Sequence, residues 1–306
     1  MAAIKILKRK EVDEQRWNAA VDAAVFSLPY AYTWYLDAVA ENWDALVWND
    51  YEAVMPLVWL RKLGIKCLYQ PYYCQQLGVF SAEALPAETI TQILEAIKAY
   101  SYISINLNPS VKPVAAKLGL SPKKNLLLDL NRGYGQIQKA YTENHKRNIA
   151  KAQKAGLQVT EESDLKVFQK FYLENIDRAK ENFKEQHEKV FKAFTKAVFA
   201  HNKAKIYLAQ NPDGKIAAAV LLLVTGNRYI SITNTSTAEG KKQGASHFLY
   251  DQIICRLASP TTKAVLDFEG SSIPGIARFY EGFGAYQEVF YNYKNSLIKR
   301  LTQRAG

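Results

Sequence analysis

The sequence predicts an α/β chain of the α+β type in two tandem halves, each a mixed, mostly antiparallel sheet flanked by helices. Three observations predict it. Apolar runs of strand length alternate with helical patterns along the chain. Tight-turn signals join neighbouring runs into antiparallel meanders: Asn49-Asp50 and Leu63-Gly64 early, Pro212-Asp213-Gly214 and Gly226-Asn227 late. A stretch over 111–124 with two prolines and a Lys-Lys pair separates the meanders, which puts the boundary near residue 125 and the halves at 1–125 and 126–306.

In the first half, Ile4 to Leu7 reads as a strand. Val12 to Ala24 and Ala31 to Asn42 read as helices on either side of Leu28-Pro29, because the residue before proline is pushed out of the helical region. Leu46 to Trp48, Ala53 to Leu60 and Ile65 to Tyr69 read as strands, and Trp34 and Trp59 as core residues. Ala87 to Tyr100 is an amphipathic helix and Tyr102 to Leu107 a strand. Asn125 to Leu130 is a strand that opens the second half. A basic helix over Ile137 to Ala155 ends at Gly156, a C-cap residue. Leu165 to Asn182 and Glu185 to His201 read as helices; Lys203 to Ala209, Ile216 to Val224 and Tyr229 to Asn234 form the late meander. A helix follows from Gly244 to Ala258, and Phe290 to Ile298 closes the half as a strand.

Composition narrows the function. With 48% hydrophobic residues among 306, the chain buries a real core and is not disordered. The N-terminus carries no apolar stretch of signal-peptide length, and the longest apolar run, Ile216 to Val224, is too short to span a membrane. Three cysteines and four histidines, none clustered, argue against a metal site and for free thiols in a reducing cytosol. Residues 1–125 hold 13 basic and 12 acidic side chains; the rest holds 27 and 17. The basicity of the second half suits either a polyanionic partner or general solubility.

The most informative stretch is DFEGSSIPGIARFYEGFGA, Asp267 to Ala285. A short apolar strand, Ala264 to Phe268, leads into a Gly-Ser-Ser turn, and Pro274 sits where a helix begins. The helix carries Ile276, Phe279, Tyr280 and Phe283 and stops at Gly282 and Gly284. Asp267 and Glu269 are two apart, so a strand would point them to one face, where either could take a proton from an amine. The alternative for Asp267 is to cap the turn or pair with Arg278. Upstream, Gly240 to Ser246 reads as a glycine-containing loop before a helix, with Lys241, Lys242, Gln243, Gly244 and Ala245 between, suited to a phosphate. In the basic helix, Lys146 and Arg147 lead, and Arg147, Lys151 and Lys154 share one stripe; Tyr141, Ile149, Ala152 and Ala155 form its packed side. Tyr69 to Gly78 is a loop dense in aromatics and amides, Gln70, Tyr72, Gln75 and Gln76 among them. It serves either to hold an acceptor between the halves or to satisfy buried backbone.

These motifs resemble the FemAB-like branch of the GNAT acyltransferase superfamily. The match rests on DFEGS…ARFYEGFG, on YTENHKRNIAKAQKAGLQV at Tyr141 to Val159, and on the hairpin AQNPDGKIAAAVLLLV at Ala209 to Val224, in the expected order. It covers roughly Tyr141 to Ala285; the first 125 residues match more loosely, as a degenerate first GNAT-like half. The resemblance implies two versions of one fold and transfer of an acyl group to an amine by direct attack. It implies that Tyr280, four residues before Gly284, protonates a departing thiolate. Relatives that use aminoacyl-tRNA commonly carry lysine after the Arg-Phe pair, where this chain has Tyr280, so acyl-CoA or a related thioester is the preferred donor and aminoacyl-tRNA the alternative. It implies a cofactor pyrophosphate at Gly240 to Ser246, where Lys241 replaces the usual Gln/Arg, and places the basic helix near the donor or acceptor. The acceptor is a small-molecule or peptide amine, a cell-wall peptide precursor included. The rival reading is a GNAT scaffold kept for binding alone. The expected setting is the cytoplasm; the oligomeric state is left open.

Overall fold

The computed structural model describes residues 4–178, 182–261, 263–269 and 273–296. The chain folds into two compact units: Met1–Lys123 with Val289–Gly306, and Lys124–Glu288.

The first unit contains β1 (Ile4–Lys8), α1 (Glu14–Ala23), α2 (Thr33–Val39), β2 (Trp43–Trp48), β3 (Ala53–Lys62), β4 (Ile65–Tyr69), β5 (Phe80–Ser81), α3 (Ala87–Ala96) and β6 (Tyr102–Leu107). Its sheet runs β1-β2-β3-β4-β6, antiparallel through β4, with β4 and β6 parallel. A parallel pair needs a long crossover, and α3 supplies it. Ile90, Ile93, Leu94 and Ile97 recur at helical spacing and are all buried against β6 and its neighbours. Trp34 and Trp59, expected in the core, are only partly buried.

The second unit takes its strand from β7 (Ser121–Asp129) and continues with α4 (Tyr134–Lys139), α5 (Glu143–Lys154), β8 (Gln158–Glu162), α6 (Leu165–Asn175), α7 (Glu185–Ala200), β9 (Ala204–Gln210), β10 (Ile216–Thr225), β11 (Arg228–Ser236), α8 (Ala238–Gln243), α9 (Ala245–Leu257), β12 (Val265–Asp267) and α10 (Pro274–Glu281). Its sheet order is β7-β12-β11-β10-β9-β8. Strands β8 to β11 are antiparallel, β11 and β12 parallel, and β12 and β7 antiparallel. Central β10 reads as an unbroken apolar run because both of its faces are covered: Ala217 to Leu223 are all buried.

The two units share one topology. Each has a four-strand antiparallel meander, a helical crossover, a fifth strand parallel to the fourth, and an antiparallel strand beside the fifth. In the second unit that last strand is β7. In the first it comes from the end of β13 (Tyr286–Ser296), whose Tyr291 to Ser296 pair with Leu107 to Tyr102 of β6. The strand expected to close the second half at Phe290 to Ile298 thus belongs to the first unit; the two final residues of its expected span, 297–298, lie outside the described residues.

The basic helix expected over 137–155 is two helices, α4 and α5. Tyr141 is buried, and the amide of Thr142 donates to the carbonyl of Gly282 at 3.0 Å, so the chain turns there before α5 starts. Helix α6 stops at Asn175 rather than Asn182.

Candidate active site

The site begins where two strands part. β11 and β12 pair only over Arg228–Ile230 and Val265–Asp267. β12 then ends, while β11 runs on to Ser236 beside β10. A bulge marks the same place: Leu221 pairs with Thr233 and Leu222 with Ser231, leaving Ile232 as an extra residue. Bulges add twist and re-aim side chains. The opening is a cleft of about 400 Å³ walled by the end of β11 (Asn234 to Ser236), Lys241 of α8, the start of α9, Ile276 and Phe279 of α10, and Asn175 and Asp177 after α6.

Gly240 to Ser246 is not a loop. Thr237 caps α8 by accepting from the Gly240 amide at 2.8 Å, and the helix formers Glu239, Lys241, Lys242 and Gln243 extend it. Gly244 breaks the two helices with φ 77°, and a Cβ there would lie 2.4 Å from the Asn148 carbonyl oxygen of α5. The turn therefore demands glycine for conformation and for space. Of the predicted phosphate residues, Lys241, Gly244 and Ser246 line the cleft. Lys242 is exposed, Gln243 half-buried and Ala245 fully buried. The first turn of α9 brings the positive end of its dipole to the cleft wall, and Lys241 adds a full charge.

Tyr280 lies behind this wall. It is buried, stacks on Phe268 at 4.4 Å between centroids, and its hydroxyl accepts from Asn234 Nδ2 at 3.2 Å. Burial raises the pKa of the phenol, while hydrogen bonds from Tyr250, Asn234 and Ser231 oppose that shift. Ser231 and Tyr250 share a 2.5 Å hydrogen bond, so a buried hydroxyl chain runs from the bulge to the cleft. Asn234, exposed in the cleft, is the link that sequence reasoning missed: its position is set by the bulge, which breaks the period-two pattern.

Two histidines were missed as well. His145 of α5 is buried; its Nε2 lies 2.8 Å from the Phe279 carbonyl and its Nδ1 2.8 Å from Thr142 Oγ1. A carbonyl can only accept, so Nε2 carries the proton and the threonine hydroxyl donates to Nδ1. Burial lowers the pKa of His145. His247, on the first turn of α9, lines the cleft with its ring 4.7 Å from His145 and 4.8 Å from Phe279. Burial, and then the His145 charge, push it down to about 4, so it is neutral at pH 7. The sequence signal was adjacency: His247 follows Ser246 directly.

Asp267 is committed elsewhere. It is 1% exposed, paired with Arg228 at 2.6 Å rather than with Arg278, and bonded by Asn125 Nδ2 at 2.9 Å. Glu288 holds the other side of Arg228 at 2.6 Å. Burial opposes the Arg228 charge, but the two carboxylates outweigh it and raise the guanidinium's pKa. The strand ends at Asp267, so Glu269 does not share its face; the Glu269 amide donates to Asp267 Oδ1 at 3.1 Å, and Glu269 takes a left-handed φ of 31°. Arg278 is exposed on α10. The Gly270-Ser271-Ser272 turn lies outside the described residues.

The basic stripe is solvated. Arg147, Lys151 and Lys154 are exposed, and Lys146 pairs with Glu143 at 2.8 Å. The Tyr69–Gly78 loop belongs to the first unit and fills that unit's own strand split. β4 and β6 pair over Cys67–Tyr69 and Tyr102–Ser104; the chain then loops out and returns at Leu77, which donates to Asn106 O at 2.8 Å and accepts from Asn108 N at 2.7 Å. Gln70 braces the loop, donating to Cys74 O at 2.5 Å and accepting from Asn106 N at 2.8 Å; Asn106 Nδ2 donates to Gln75 O at 3.0 Å. Gln76 is buried and donates to Gln75 Oε1 at 2.6 Å, and Tyr72 is exposed. The gap that stays open in the second unit is thus closed by chain in the first. Among the described residues, no cluster of His, Cys, Asp or Glu could hold a metal, and no helix is long and apolar enough to cross a membrane.

Comparison with known proteins fits this geometry. Residues 139–274 match the acetyltransferase (GNAT) domain family. Over the whole chain the fold is similar to that of FemX, at 13% identity and a TM-score of 0.67, covering 98% of this chain and 99% of that one. It is similar to the C-terminal domain of a putative lysylphosphatidylglycerol synthetase from Agrobacterium fabrum, at 15% identity and a TM-score of 0.60, covering 95% and 94%. A tandem GNAT protein from the clavulanic acid biosynthesis pathway matches at 11% identity and a TM-score of 0.56, covering 96% and 98%. No curated protein matches the sequence.

Proposed function

We propose that this chain is a GNAT acyltransferase of the FemAB-like branch and moves an acyl group from acyl-CoA or a related thioester to an amine by direct attack, a reading that the match of residues 139–274 and the shared fold support. One observation carries the reading: the split between β11 and β12 opens onto the start of α9, with Lys241 at its rim and Tyr280 reached through Asn234. A pyrophosphate would meet Lys241 and the α9 amides. The thioester would lie along β11 past Ile230. The amine attacks the carbonyl carbon, the C–S bond breaks, and the thiolate takes a proton from Tyr280, giving amide and thiol. The proton lost by the amine goes to Glu269 or to water. Burial, which outweighs the hydrogen bonds to its oxygen, keeps the Tyr280 phenol protonated until the thiolate forms.

Addition of CoA should raise the melting temperature, and Lys241→Ala should reduce the shift. Absence of a shift at saturating CoA, with a shift on adding tRNA, would reverse the choice of donor. That second reading has its own support in the exposed Arg147, Lys151 and Lys154 stripe. The non-catalytic alternative predicts ligand binding without acyl transfer to any amine, which an acyl-CoA consumption assay separates.

A further inference from the structure

We propose that the tip of the β3–β4 hairpin anchors the first unit to an anionic lipid surface. Leu63 and Gly64 form its two-residue turn, both with positive φ, 49° and 80°. Such turns belong to Asn, Asp and Gly, and a leucine there costs backbone strain. The side chain recovers nothing from packing: Leu63 is 102% exposed and Ile65 beside it 49% exposed. Neither turn chemistry nor core burial accounts for two large apolar side chains at this point.

Their surroundings are cationic. Lys62 faces Ile65 across the ladder, and Arg61 faces Lys66. Like charges in register oppose sheet formation. Lys66 is balanced internally, with its Nζ 2.8 Å from Asp44 and 3.9 Å over the Trp59 ring. Arg61 gives one N–H to the Gly64 carbonyl at 3.0 Å, and it and Lys62 remain exposed. The cavity of about 710 Å³ that Arg61 and Lys66 line is mixed in sign, with Lys8, Arg9 and Lys10 against Asp37, Glu41 and Asp44, so the cationic collar is that of the tip itself, Arg61 and Lys62. An apolar tip inside a cationic collar complements a bilayer interface: the leucine and isoleucine enter the acyl boundary while the cations meet anionic headgroups. RNA would use the cations but has no use for a fully exposed leucine.

Flotation of the full chain with vesicles tests this. Binding is expected to phosphatidylcholine mixed with phosphatidylglycerol, weakening as salt rises, and not to phosphatidylcholine alone. Leu63→Asn keeps the turn, because asparagine tolerates the left-handed region, and should lower partitioning by about tenfold. Arg61→Gln and Lys62→Gln should each lower it by about fivefold. Circular dichroism and melting of each variant verify that the fold is kept. Full binding by Leu63→Asn alongside loss in the charge variants would overturn the anchor and leave a general polyanion patch. Failure of the wild type to float with anionic vesicles would overturn it outright.

Discussion

Tyr280 and His247 carry opposite burdens at the site. In the proposed mechanism Tyr280 holds its proton until a leaving group develops charge, and burial raises its pKa in that direction. Tyr280→Phe should cut turnover by roughly 10²-fold with little change in KM, since the interaction belongs to the transition state. Stability should fall by about 1 kcal/mol, because Asn234 and Tyr250 lose a partner. Unchanged turnover on an active acyl-CoA substrate would remove the phenol from the mechanism. His247 is held neutral at pH 7 by its burial. Its folded pKa of about 4 lies below the ordinary 6.5, so the unfolded chain binds more protons between those values. Stability should therefore fall as pH drops from about 6.5 to about 4 and level off below. The midpoint of thermal unfolding against pH reads this directly, and His247→Asn should flatten the slope. Equal slopes in wild type and variant would show that other groups dominate.

At the scale of elements, the site is held together by helix contacts that leave no room for side chains. The end of α10 rests on α5 at Gly282, where a Cβ would lie 1.9 Å from His145 Cε1. Gly282→Ala should lower stability by roughly 1–3 kcal/mol by overpacking. Gly275 sits in the first turn of the same helix, and a Cβ there would meet nothing within 4 Å. Gly275→Ala should therefore be neutral or stabilising by up to about 1 kcal/mol. Urea unfolding midpoints compare the pair. If both alanine variants unfold together, the α10–α5 contact is softer than its geometry indicates. The same logic explains Gly244: it serves the packing of α9 against α5 as much as any ligand.

At the scale of the molecule, two copies of one topology have diverged at one feature. The split between the fourth and fifth strands is open in the second unit and filled by the Gln70–Gln76 loop in the first. The donor reading therefore rests on the second unit. Charge divides the same way, since residues after 125 hold 27 basic and 17 acidic side chains. If tRNA is the donor, its binding should weaken steeply with salt, and neutralising Arg147, Lys151 or Lys154 should each lower the log–log slope by roughly one unit. Salt-insensitive or absent RNA binding, measured by filter retention, would assign the charge to solubility or to steering of an anionic thioester.

The strand and helix menu, the resemblance of residues 139–274 to a GNAT domain and the residues of the α10 helix were legible in the sequence, because they follow from local patterns: periodicity, turn chemistry, and proline and glycine at helix ends. So was the presence of a tyrosine at 280 and of lysine at 241. What the sequence could not show depends on which strands meet. Asp267 chose Arg228, 39 residues away in sequence, over Arg278, because parallel pairing sets Arg228 opposite Val265 and so on the same face as Asp267, two residues along β12. Asn234 reached Tyr280 because a bulge turned β11. Gln70 of the amide-rich loop spends its amide on backbone, of the loop at Cys74 and of β6 at Asn106. Local sequence determined the elements and their chemistry; the register between distant strands decided which of those side chains became structural and which were left facing a cleft.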